Sequence, residues 1–151
     1  MKKIIYPTLL GTTAMTAFSY IISKKKHRNF LEPNVLAQLI YRLHNGGDKK
    51  ESELAGLSGH YITGLLFVLI YIYLWEHANV KPTLSNGIGL GAAAGICGIA
   101  AWELMLKLHP DPPAKNKKRY FGHLFLAHLV FGVFSTIGYQ LACESKNWEP
   151  I

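Results

Sequence analysis

Cysteine is nearly absent from this chain: Cys97 and Cys143 are the only two. They stand far apart, each in or beside an apolar run, with no metal-type spacing. That excludes a disulfide scaffold and a cysteine-rich metal site, and leaves two buried, inert thiols as the expectation. Acidic residues are scarce too, with nine Asp and Glu against sixteen Lys and Arg, a formal charge of +7. Such an excess suits nucleic acid or an anionic membrane surface. Here the basic residues stand between apolar runs, so a lipid bilayer is the expected partner and nucleic acid is not. Enzyme signatures are missing: there is no G-x-S-x-G, no HExxH and no CxxCH. No catalytic residue is expected, and the chain reads as a non-enzymatic structural or accessory membrane protein, with a homo-oligomer or an unidentified membrane partner left open.

What the chain does have is long apolar runs. Four segments can cross a hydrocarbon core of about 30 Å at 1.5 Å per residue: about 4–23, 54–75, 84–108 and 120–143. Tyr6, Trp75, Trp102 and Tyr120 stand at their ends, where interfacial aromatic belts are expected. Met1-Lys2-Lys3 before the first run resembles a signal peptide, but the run is long for one. No small-x-small site precedes the basic stretch Lys24, Lys25, Lys26, His27, Arg28, so an uncleaved first helix is expected. Residues 31–43 differ. Leu31, Val35, Leu36, Leu39, Ile40 and Leu43 share one helical face, with Asn34, Gln38 and Arg42 opposite. With Pro33 in the first turn and Gly46-Gly47 as the stop, this predicts an amphipathic helix on the membrane interface, with a helix packed on the bundle as the alternative.

The fold expected is therefore all-α, a single polytopic membrane domain over residues 1–151 built as a four-helix bundle with one interfacial helix. Orientation follows from the basic residues. Twelve Lys and Arg fall in the first and third connections with the adjoining helix end; Lys2, Lys3, Lys81 and Lys146 are the only ones on the other side. Loops 24–53 and 109–119 are then cytoplasmic and both termini outside, in the inner (cytoplasmic) membrane.

The second and fourth runs share a pattern. His60, Gly64, Tyr71 and Glu76 have the spacing H-x3-G-x6-Y-x4-E, and so have His128, Gly132, Tyr139 and Glu144. The first and third are alike in small residues: Gly11, Thr12, Thr13, Ala14 and Gly91, Ala92, Ala93, Ala94. A duplicated helical hairpin is expected, related by an axis along the membrane normal. Gly87, Gly91, Gly95 and Gly98 form a stripe suited to close helix packing. They are not a nucleotide loop, since no strand precedes them and no Lys-Ser/Thr follows.

Ionisable groups inside a bilayer are expensive, which makes His60, Glu103, His123 and His128 the candidate intramembrane cluster. All four reach the cytoplasmic half, at the depth of Thr16, Ser19 and Tyr20. Three readings fit them. Each histidine bonds a local carbonyl or hydroxyl and fixes packing, with Glu103 paired to Lys107 four residues on. His60 and His128 face each other and bind a metal or haem, although no cofactor is required by any motif. Or the cluster relays protons or lines a small-solute path. The layout resembles small bacterial four-helix membrane proteins of undetermined activity. The likeness is carried by Gly11, Ala14, Met15 and Thr16 in the first run, then His60 with Gly64 and His128 with Gly132. It implies a fold and a location and no reaction.

Overall fold

The helix over residues 1–26 is folded inside out. The computed structural model describes residues 1–44, 47–113 and 116–144, and its first element is α1, Lys2–Lys26. This helix buries Thr8, Gly11, Thr12, Ser19 and Ser23 and turns Ile5, Leu9 and Ile21 outward. Its buried hydroxyls do not compete with the helix. Thr8 and Thr16 donate back to the carbonyls of Ile4 and Thr12, at 2.7 and 2.8 Å, the usual way a helix hydroxyl is satisfied away from water. Among the described residues three helices are long and apolar enough to cross a membrane: α3 (Lys49–His77), α4 (Leu84–Leu108) and α5 (Lys117–Glu144). α1 is about 37 Å long at 1.5 Å per residue, but its hydroxyls keep its mean hydropathy lower. No strand occurs among the described residues.

The connections carry their own chemistry. α1 ends at His27 in the left-handed conformation (φ 49°), and the amide of Arg28 returns to the Ser23 carbonyl at 3.1 Å, the C-terminal arrangement that reverses a chain. Ser23 Oγ then accepts from the Phe30 amide at 2.9 Å. That pin turns the chain directly into α2, Glu32–Leu43, with Pro33 in its first turn. Asp48 caps α3 by accepting from the Lys50 amide, and Thr83 caps α4 by accepting from the Asn86 amide.

α5 is the centre of the bundle. It packs against α1 on one side and α4 on the other; α3 lies beyond α1, and α2 lies along α3. The α4–α5 contact is made by the glycine stripe. A Cβ on Gly91 would stand 2.5 Å from the His128 carbonyl, and Gly132 lies against Gly87 and Gly91. α2 meets α3 in the same way, since a Cβ on Gly56 would fall 2.7 Å from the Ala37 amide. On α2, Val35 and Leu39 are buried while Asn34, Gln38 and Arg42 face out. The amphipathic face expected over 31–43 is therefore turned onto α3. α3 and α4 hardly touch.

Two sequence expectations change. Trp75, Trp102 and Tyr120 do not form an outward belt; all three are buried, with Trp75 against Tyr139 and Trp102 against Tyr120 at ring separations of 4.6 and 5.5 Å. Small residues on the neighbouring helices leave room inside for large rings, and only Tyr6 stays outward. Cys97 is not buried; it lies on the open side of α4, and both thiols are free. Gly46, Lys115 and Lys146, which carried part of the helix-stop and charge arguments, lie outside the described residues.

Candidate functional site

Because α3 and α4 stay apart, a cavity of about 300 Å³ opens between them, and every helix contributes to its wall. Thr12 and Met15 come from α1, Glu32 and Leu36 from α2, His60 and Phe67 from α3, Cys97 and Trp102 from α4, and Leu124 and His128 from α5. The wall is mostly apolar, with a few polar groups set into it, which is the composition of a small-molecule site.

Hydrogen bonds assign the protons on two of those groups. His128 Nδ1 lies 2.8 Å from the Leu124 carbonyl oxygen. A carbonyl only accepts, so Nδ1 carries the proton and neutral imidazole leaves Nε2 as an acceptor. Among the described residues Nε2 has no hydrogen bond, and the ring lies over Gly98, where a Cβ would come within 3.0 Å of Nε2. His60 Nε2 lies 3.0 Å from Thr16 Oγ1, and that hydroxyl spends its one proton on the Thr12 carbonyl. Thr16 must therefore accept from His60, so Nε2 is the protonated nitrogen and Nδ1, with no hydrogen bond among the described residues, is an acceptor.

His123 belongs to a second, adjoining network. Ser19 Oγ donates to Glu32 Oε1 at 3.0 Å and lies 2.9 Å from His123 Nε2. The serine has one proton, so the chain runs from His123 N–H to Ser19 and from Ser19 to Glu32. The imidazole stacks on Phe18 and Phe30, with ring centroids 5.4 and 4.7 Å away. Glu32 is 3% exposed and also borders the cavity. Sequence reading did not single out Glu32, because it sits beside the polar face of an amphipathic helix, where a carboxylate is ordinarily solvated. The available signal was the chain reversal after α1, which brings the first turn of α2 back beside Ser19.

Glu103 does not join the cluster. It is half exposed and pairs with Lys117 at 2.9 Å across the α4–α5 connection, not with Lys107. Both residues stand at the end of the bundle, where a contact between helices brings the charges closer than the expected pairing along one helix. Of the neighbours expected at the same depth, Thr16 and Ser19 bond His60 and His123, whereas Tyr20 faces outward beneath Lys24. Among the described residues, no group of three or more His, Cys, Asp or Glu is arranged to hold a metal ion.

No protein-family model, curated protein or solved structure matches this chain. Its functional reading rests on its own residues.

The far end of the bundle is closed. Tyr71 packs between Trp75 and Phe131, and Trp75 packs on Tyr139. Tyr139 donates to Glu76 at 2.9 Å, and Lys3 pairs with the same carboxylate at 2.7 Å. The cavity thus stands on one side of a layer of aromatic rings, with an ion pair beyond it.

Proposed function

We propose that this is a multi-pass membrane protein with four spans that binds a small, largely apolar molecule between α3 and α4 and catalyses no reaction on it. The observation that carries this reading is the cavity, bordered by all five helices and furnished with two histidines that each keep a ring nitrogen without a hydrogen bond among the described residues. Four spans are supported by the inside-out character of α1 and by the outward-facing Leu66, Ile70, Ile88, Ile96, Leu126 and Phe134 on the other long helices. Apolar surface on that scale is a liability in water and ordinary in lipid. The closed aromatic layer favours binding over passage, since Tyr71, Trp75, Phe131 and Tyr139 pack ring against ring at one end of the cavity.

Hairpin duplication is supported by two like contacts. Gly64 of α3 lies against Thr12 of α1, and Gly132 of α5 lies against Gly87 and Gly91 of α4. The copies then diverged in their surroundings: α5 gained α1 as a second neighbour, α3 did not close on α4, and the cavity is the gap that resulted.

The basic end, holding Lys24, Lys25, Lys49, Lys107 and Lys117, is assigned to the cytoplasm. Reporter fusions at Lys25 and Lys117 are expected to report cytoplasm and a fusion after Ile151 the outside; a cytoplasmic C-terminus would overturn the assignment. Binding is tested by filling the cavity. Ala101 borders it and is otherwise exposed, so Ala101→Trp blocks the space without removing a polar group. Organic extraction of purified protein followed by mass spectrometry is expected to recover a small molecule from the parent chain and at least about tenfold less from the variant, a loss of roughly 1.4 kcal/mol. Equal recovery, or none from either, would sink the reading.

A further inference from the structure

Resting on that binding reading, we infer that the occupant is an amphipathic molecule whose polar head donates hydrogen bonds, a phenol, alcohol or amine on an apolar body. His128 spends its proton on the Leu124 carbonyl and His60 spends its own on Thr16, whose hydroxyl is committed in turn to the Thr12 carbonyl. What each ring has left is a lone pair, on Nε2 of His128 and Nδ1 of His60. An imidazolium would carry a second donor; the neutral ring, whose single proton already serves Leu124 or Thr16, carries none.

Glu32 receives the Ser19 hydroxyl at Oε1, and the wall also holds Thr63, whose hydroxyl bonds the Gly59 carbonyl, and Thr12, whose buried Oγ1 has no hydrogen bond among the described residues. The two ring nitrogens are acceptors only, while the Thr12 hydroxyl can accept as well as donate. His128 borders the cavity, and its Nε2 has no hydrogen bond among the described residues, so its lone pair can take a donor from a bound molecule. A ketone, ether or ester head could accept from Thr12 but would set acceptor against acceptor at both ring nitrogens. The apolar body has its own place, along Phe67, Leu124, Phe131 and Met105.

The test uses the full chain in phosphatidylcholine nanodiscs and two probes that differ in one group, 4-octylphenol and 4-octylanisole. Binding is read as the excess over protein-free discs, which removes the difference in partitioning. The phenol is expected to bind about tenfold more tightly, the worth of a buried hydrogen bond. The ring-nitrogen resonances of His60 and His128 in ¹⁵N-histidine-labelled protein should move with the phenol and not with the anisole. His128→Phe should bring the two affinities within about twofold of each other. His60→Phe, at a half-buried ring, serves the same purpose should the first variant not fold. Equal binding of both probes by the parent chain would overturn the donor-head inference and leave the binding reading standing. Binding of neither probe would overturn the binding reading itself.

Discussion

Gly132→Leu is expected to cost about 3 kcal/mol or more and to part α4 from α5. The reason is the identity of the neighbours. A Cβ at position 132 would meet the Gly87 carbonyl and lie 2.8 Å from the amide nitrogen and Cα of Gly91. Those are backbone atoms within a helix, so no rotamer change relieves the clash. Leu is intrinsically the better helix former by somewhat under 1 kcal/mol, which does not offset it. Gly89 provides the matched control. It stands on the same helix as Gly87 and Gly91, and nothing lies within 4 Å of the place a Cβ would take. Gly89→Leu should lose no stability and can gain up to about 0.8 kcal/mol from helix propensity. Reversible unfolding in mixed micelles measures both. Stability of Gly132→Leu equal to the parent would mean that the close approach of α4 and α5 does not exist.

Ser19→Ala is expected to destabilise the chain by roughly 2–4 kcal/mol, although it removes a single oxygen. Ser19 is fully buried and joins three elements: its own α1, Glu32 of α2 and His123 of α5. Without it the Glu32 carboxyl and the His123 N–H each lose that bond in a place that water does not reach. The loss should be strongly non-additive. A chain carrying Ser19→Ala with Glu32→Leu and His123→Phe should be closer in stability to the parent than the three separate losses together imply, because no buried polar group is then stranded. Hydrogen exchange adds a structural readout. The amides of α2 should lose protection before those of α5, since Glu32 anchors a short helix and α5 is held on both sides. An unchanged stability and an unchanged α2 would show that Ser19 is no junction.

The helices themselves were legible from residue spacing. Expected runs at 4–23, 54–75, 84–108 and 120–143 lie within α1, α3, α4 and α5, and the amphipathic face of 31–43 became α2. The glycine stripe at Gly87, Gly91 and Gly95 announced close packing, since a side chain of one hydrogen has few other uses at that spacing. These features are local: they depend on periodicity, hydropathy and turn chemistry within one stretch of chain.

The site was legible only in part. His60, His123 and His128 stood out because an imidazole in an apolar run is costly anywhere, whatever surrounds it. Sequence alone paired Glu103 with Lys107, because i to i+4 is the only neighbour a single helix offers; the packing of α4 on α5 supplied Lys117 instead. Glu32 passed as a surface carboxylate until the reversal at His27 carried it back to Ser19. The order of the helices around α5, and with it the gap between α3 and α4, depends on which glycine meets which backbone across long stretches of chain. Residue types and their periods therefore decided what each segment is and which side chains were out of place. Only the tertiary contacts decided which histidines share a cavity and which of their nitrogens remain free, because a proton's position is set by the partner across the interface and not by the residue that carries it.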